Sequence, residues 1–409
     1  MGVAVGITQG GRVSRWKAIP ASVWVALALA GSLALRLSLF PFVSGDMQGD
    51  MIPWSEFIQA HGVWPSWGQE FLNFNYPPLY LYLLTMATWL PLPRLFAIKL
   101  VYVTFDYVLA WEVGGIAQAC GATSKRWPAM LTTLCLPTVL MNSALWGQCD
   151  AMSASGLAAC VSYLLRGRSA AAMVAFGLAF SLKPQAVFLT PLLLVLVWQR
   201  RFSSLLFYVI PAVYVALAVP AWLAGRPVLD LILLYAHQHI VPFPALTLGA
   251  TNLYQWLQGT PFNPFFQIGL GLAALSALAL VVAVCRRHRT GLTNDRLLQL
   301  AMTSLVLMPF VLPAMHERYF FAADALAVAY AFRFQNGWWM LLLIQFASAF
   351  TYLPYLFNWE PVPRPWLAVV MAVALGLLLR DLLGAKSEPA GALRASPADT
   401  VVTTNSFAT

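Results

Sequence analysis

Apolar runs read as membrane spans recur along nearly the whole chain, and they constrain it more than any motif. They fall near 21–41, 97–119, 128–145, 151–166, 169–183, 185–199, 204–223, 266–285, 297–314, 319–332, 338–356 and 365–383. A bilayer core is about 30 Å thick and takes about 20 predominantly apolar residues to cross as a helix. The composition agrees, with 60% hydrophobic residues, 10% charged residues and a mean hydropathy of +0.72. A soluble domain carries about 25% charged residues. The expected fold is therefore an all-α integral membrane bundle of about twelve transmembrane helices, one polytopic domain over residues 1–385. Residues 386–409, rich in Ala, Ser, Pro and Thr, read as a disordered cytoplasmic tail.

Lys and Arg number 24 against 15 Asp and Glu, a formal charge of +9. In a soluble chain that excess would suggest a nucleic-acid partner. Here the basic residues sit in short loops between apolar runs, as the positive-inside rule requires, so no nucleic acid is expected. The five cysteines are dispersed and show neither a disulfide framework nor metal spacing. The first apolar run is too long for a signal-peptide core and reads as a retained span.

Charge also arbitrates a thirteenth candidate, "YPPLYLYLLTMATWLPLP" at 76–93, which is short and bounded by prolines. If it stays outside and the N-terminus is cytoplasmic, seventeen Lys and Arg lie inside and six outside, with Arg36 within a span. If it crosses, the tally becomes nine inside and fourteen outside. Orientation follows the Lys/Arg excess, so 76–93 is expected to lie along the outer face. Both termini are then cytoplasmic, and the large outer loops are 42–96 and 224–265.

With the sides assigned, polar residues collect at one face. "VSGDMQGDMIPW" opens the first outer loop with Asp46 and Asp50, and "ALWGQCDAM" supplies Gln148 and Asp150. "FSLKPQAVF" supplies Lys183 and Gln185, "AHQHIVPF" carries His237 and His239, and "AMHERYFFAAD" carries His316, Glu317 and Arg318. An ionisable residue at membrane depth costs roughly 2.5–3.5 kcal/mol on insertion scales, so five such clusters at one face read as one site. Plainer readings exist for each. Aspartates beside glycine form turns, Lys183 before Pro184 can snorkel, and the two histidines read as a polar loop better than as metal ligands. Asp106, the most membrane-buried acid, reads as a structural hydrogen-bonding group.

The elements "SGDMQGDMIPW", "NYPPLYLYLL", "WGQCD", "LKPQA" and "HERYFF" occur in that order between residues 44 and 321. In this the chain resembles the GT-C superfamily of integral-membrane glycosyltransferases that use polyprenyl-phosphate sugars. Within it, the order is similar to the mannosyltransferases of GPI-anchor assembly and their bacterial relatives. The resemblance implies a GT-C-like bundle with juxtamembrane helices in the first outer loop, and an essential acid early in that loop, which maps best onto Asp46. Asp50 is an extra acid that leaves the choice of base open.

A transfer of this kind implies a polyprenyl-phosphate sugar donor, a glycan, lipid or protein acceptor, and surrounding membrane lipid. Asp46 would act as general base, and Lys183, Arg318, Lys99 and Arg94 would bind the donor phosphate. Gln148, Asp150, Gln185, His316 and Glu317 would bind sugar or acceptor. Trp54, Tyr76, Trp64 and Trp67 would stack on sugar faces, although interfacial Trp and Tyr are common in membrane proteins. No cofactor is required; Asp46, Asp50 and Asp150 are the acids a divalent metal would find. High Ala, Leu and Trp usage looks bacterial, which implies the inner membrane with the site facing the periplasm. Two other readings are a lipid-linked glycan transporter or flippase, with polar residues spread through the midplane, and an O-antigen polymerase or ligase, with an Arg-rich outer loop.

Overall fold

The computed structural model describes residues 20–121, 123–238 and 244–384. His239 and the 386–409 tail lie outside them. Helices make up about three quarters of the described chain; the only sheet among the described residues pairs Thr247–Leu248 with Met315–His316 in parallel.

Six helices are long and apolar enough to cross a membrane: Ala21–Leu39, Arg94–Cys120, Ser204–Leu223, Phe262–Arg287, Gly337–Phe357 and Arg364–Leu383. A bent pair, Arg126–Leu134 and Pro137–Trp146, makes a seventh if it counts as one span. This is fewer than the twelve apolar runs, and the shortfall has a physical origin. Asp150–Leu165, Ser169–Phe180 and Phe321–Arg333 are only 16, 12 and 13 residues long. Asn294–Val311 reaches 18 residues, and its residues from Leu297 onward are all buried. These helices pack among other helices, so their apolarity answers to neighbouring side chains and their length need not match a lipid layer.

The first long connection holds three short helices, Ile52–His61, Val63–Gly68 and Pro78–Thr88. The last has 11 residues, a rise of about 16 Å, about half of a bilayer core. Pro77 and Pro78 start it: Pro77 is extended and Pro78 occupies the first turn, where a missing N–H costs nothing.

A buried ion pair fastens the first helix to the bundle. Arg36 Nε donates to Asp106 Oδ2 at 2.9 Å, Nη1 donates to Ser32 Oγ at 2.7 Å, and Nη2 to the Leu134 carbonyl at 2.9 Å. Ser143 Oγ donates to the same Asp106 oxygen at 2.5 Å. Both charges are fully buried, which is tolerable only because each is paired and hydrogen-bonded. Asp106 therefore has the structural role expected of it.

Candidate active site

Two π-helical segments shape the site. Met47–Met51 begins directly after Asp46, and Leu140–Trp146 ends at Gly147. Such wide turns insert an extra residue per turn and re-aim side chains, frequently at functional sites. The bend before the second follows from Pro137. Leu136 is held extended and the preceding helix stops, so the two pieces meet at 53°. Gly147 then takes φ +81°, and a Cβ there would run into the Met47 side chain. Both the left-handed backbone and the close approach demand glycine. The turn presents Trp146 and Gln148 to Asp46.

The Asp46 carboxylate is held on both oxygens. Trp146 Nε1 donates to Oδ2 at 3.0 Å, and Gln148 Nε2 donates to the same oxygen. Tyr355 Oη donates to Oδ1 at 2.5 Å and accepts the Asp46 backbone N–H at 2.9 Å. Beyond Asp46 the charges alternate. Arg318 Nη1 lies 3.9 Å from Asp46 Oδ2, Arg318 Nε lies 3.5 Å from Asp150 Oδ2, and Lys183 Nζ donates to Asp150 Oδ1 at 2.5 Å. Asn142 Nδ2 donates to the other Asp150 oxygen at 2.8 Å. Lys183 and Asp150 are almost wholly buried, with side chains 6% and 8% exposed.

Local structure explains how these groups meet. Lys183 is extended because Pro184 follows it, and Pro184 opens the short helix Pro184–Leu189. His316 belongs to the two-residue ladder with Thr247–Leu248, and Gly249 at φ +95° bridges back to it. A Cβ on Gly249 would come within 2.9 Å of the Glu317 carboxylate. Glu317 Oε1 sits 3.6 Å from Arg318 Nη1, and Glu317 Oε2 sits 3.8 Å from His316 Nδ1.

Two cavities adjoin here. The first, about 610 Å³, is lined by Asp46, Asp50, Trp54, Gln148, Glu317 and Arg364, among others. The second, about 560 Å³, has Lys183 and Gln185 at one side and an apolar lining that includes Val187, Phe188, Phe266 and Leu270. Asn75, Tyr76, Leu248, His316 and Arg318 border both. Arg318 is nearly buried, yet its Nε makes no hydrogen bond among the described residues. Its ionic contacts at 3.5–3.9 Å are longer than hydrogen bonds, so the guanidinium keeps donors for a ligand.

Asp50 remains accessible, but crowding by the cavity wall strips part of its solvation. That, and then the adjacent Asp46 charge, hold its carboxyl above the usual 3.8. Among the described residues no three His, Cys, Asp or Glu side chains converge as a metal-holding group.

Asp46, Asp50, Gln148, Asp150, Lys183, Gln185, His316, Glu317 and Arg318 thus come to one region, with Trp54 and Tyr76 in its wall. Trp54 is also tied down, its Nε1 donating to the Leu72 carbonyl at 3.0 Å and its ring edge-on to Phe74 and Tyr76. Lys99 and Arg94 border neither cavity. Lys99 is fully buried and spends its three donors on the carbonyls of Phe40, Phe42 and Leu145, at 3.2, 2.6 and 2.8 Å. Arg94 donates to Gln59. Trp67 Nε1 donates to Thr85 and Trp64 packs beside Trp67, away from both cavities. Trp146, Asn142, Tyr355 and Arg364 were missed in the sequence. Asn142 left a trace as an amide inside an apolar run, and Trp146 as the first residue of "WGQCD".

No protein-family model matches this chain, and no curated protein matches it.

Proposed function

We propose that this protein is a membrane glycosyltransferase that moves a hexose from a polyprenyl-phosphate donor to an acceptor hydroxyl, with inversion. Mannose is the first sugar to try. The observation that carries the reading is the position of Arg318, which borders both a polar cavity holding Asp46 and a largely apolar cavity holding Lys183. A lipid-linked sugar has the matching layout: an apolar tail, a phosphate in the middle and a polar sugar beyond it.

In this reaction Asp46 accepts the acceptor's O–H proton as that oxygen attacks the anomeric carbon. The bond from the anomeric carbon to the phosphate oxygen breaks, and its electron pair leaves with the polyprenyl phosphate. General-base action of this kind contributes about 10²–10⁴ in rate. Arg318 offers a planar fork and Lys183 a point charge to the departing phosphate. Trp146, Gln148 and Tyr355 keep the Asp46 carboxylate aimed, which matters because small misplacements of a reacting group cost orders of magnitude. On this reading the short buried helices also cross, which makes about twelve passes of a bacterial inner membrane. The excess of basic residues on one side supports cytoplasmic termini and a periplasmic site.

The test is transfer of radiolabelled sugar from polyprenyl phosphate by the purified protein in lipid, compared with Asp46→Asn. Transfer by the wild type and its loss in a folded variant are expected. Unimpaired transfer by the variant removes Asp46 as the base, and no transfer from any polyprenyl-phosphate hexose overturns the enzyme reading.

A further inference from the structure

A third cavity, about 400 Å³, lies far from the candidate active site and is lined by Trp111, Glu112, Gln118, Arg126, Arg166 and Arg168. Its distance follows from one helix. Lys99 of Arg94–Cys120 reaches the Phe42 and Leu145 carbonyls beside the site. Gln118 is nineteen residues further on, a rise of about 28 Å, so the cavity sits at the other end of the bundle.

Three guanidiniums and a single carboxylate, Glu112, share that lining, and Glu112 forms no ion pair with any of them among the described residues. Arg126 is locked in place: its guanidinium stacks 3.6 Å from the Trp111 ring centre, and Nη1 donates to Gln118 Oε1 at 3.0 Å. Its Nε is buried and makes no hydrogen bond among the described residues. Arg166 Nη1 donates to Ser162 Oγ at 2.7 Å, while the exposed Arg168 side chain has no partner among the described residues. Two helices also begin here, Arg126–Leu134 and Ser169–Phe180, and the N-terminal end of a helix favours an anion.

Positive-inside topology accounts for arginines in these loops, but not for their convergence on one cavity with unused donors. Three like charges held beside one carboxylate still repel, and a phosphate relieves that. Trp111 and Trp127 fix the depth. Both are more than 40% exposed and they pack edge to face with centres 6.1 Å apart, the behaviour of aromatic residues at a membrane–water boundary. We infer that this cavity binds the phosphate of an anionic phospholipid headgroup. Basic pockets between membrane helices have the charge and depth for that role. The inference is independent of glycosyl transfer.

The experiment is native mass spectrometry of the full-length protein, purified in zwitterionic detergent and titrated with phosphatidylglycerol, phosphatidylcholine or inorganic phosphate. Preferential binding of phosphatidylglycerol is expected, with affinity falling about fivefold in Arg168→Gln and further in Arg126→Gln/Arg168→Gln. Arg168→Gln touches an exposed, unpartnered side chain, so it tests the site even if the double variant fails to fold. Equal binding of the two lipids, or unchanged phosphatidylglycerol affinity in Arg168→Gln, overturns the proposal. Displacement of the lipid by millimolar inorganic phosphate overturns the lipid source and leaves a soluble-anion site.

Discussion

Tyr355 and Asp46, separated by 309 residues, exchange two hydrogen bonds: the phenol donates to the carboxylate and accepts from the backbone N–H of the same residue. The helix Gly337–Phe357 thereby fixes both the position and the orientation of the candidate base. Tyr355→Phe should keep the fold and lower sugar transfer about tenfold to hundredfold. The fall should lie in kcat with KM little changed, which steady-state kinetics against donor concentration would read. A change confined to KM would assign Tyr355 to substrate contact instead.

Asp150 clamps Lys183 and faces Arg318. Asp150→Asn leaves the buried Lys183 ammonium without its counter-ion, and breaking such a pair costs about 3–5 kcal/mol. A marked drop in thermal unfolding temperature is expected. Adding Lys183→Met should recover much of that stability, because no buried ammonium is then stranded, while sugar transfer stays lost.

Gly147→Ala forces a side chain into a left-handed backbone and against Met47. Strain of that kind costs about 1–3 kcal/mol. Met47→Ala in the same chain relieves the contact but not the backbone, so partial recovery in a thermal-unfolding assay separates the two causes.

Asp50 should give the protein a pH signature. Its carboxyl is raised in the folded state above the ordinary 3.8. The folded state therefore binds the proton more tightly than the unfolded chain. The resulting stability is full below about pH 4 and is lost as pH rises through the folded value. Unfolding temperatures measured from about pH 4 to pH 7 should decline less in Asp50→Asn than in the wild type.

Membrane character and the grouping of four of the five polar clusters were legible because both are written in local composition: apolar runs, and charged residues where a lipid-facing chain has no use for them. Lys183 is the clearest case, since the proline after it dictates its backbone. Its neighbour across the site, Tyr355, was invisible because a tyrosine near a helix end is ordinary until a partner 309 residues away is known. Lys99 misled for the opposite reason. Its position in the sequence matched a phosphate ligand, but three backbone carbonyls left bare by the irregular turns at Phe40–Phe42 and Leu145 claim it. Only six or seven of the twelve apolar runs form helices long enough to span by themselves, because a helix wrapped in protein is as apolar as one wrapped in lipid and composition alone does not set its length.

The two cavities around Arg318 differ in what wets them, one edged by carboxylates and the other by Phe188, Phe266 and Leu270. A molecule that fills both at once is an amphiphile, and amphiphiles are counted per area of bilayer or micelle, not per volume of water. Occupancy of the pair should therefore obey surface dilution: adding empty detergent or lipid at constant ligand thins the ligand that this protein meets.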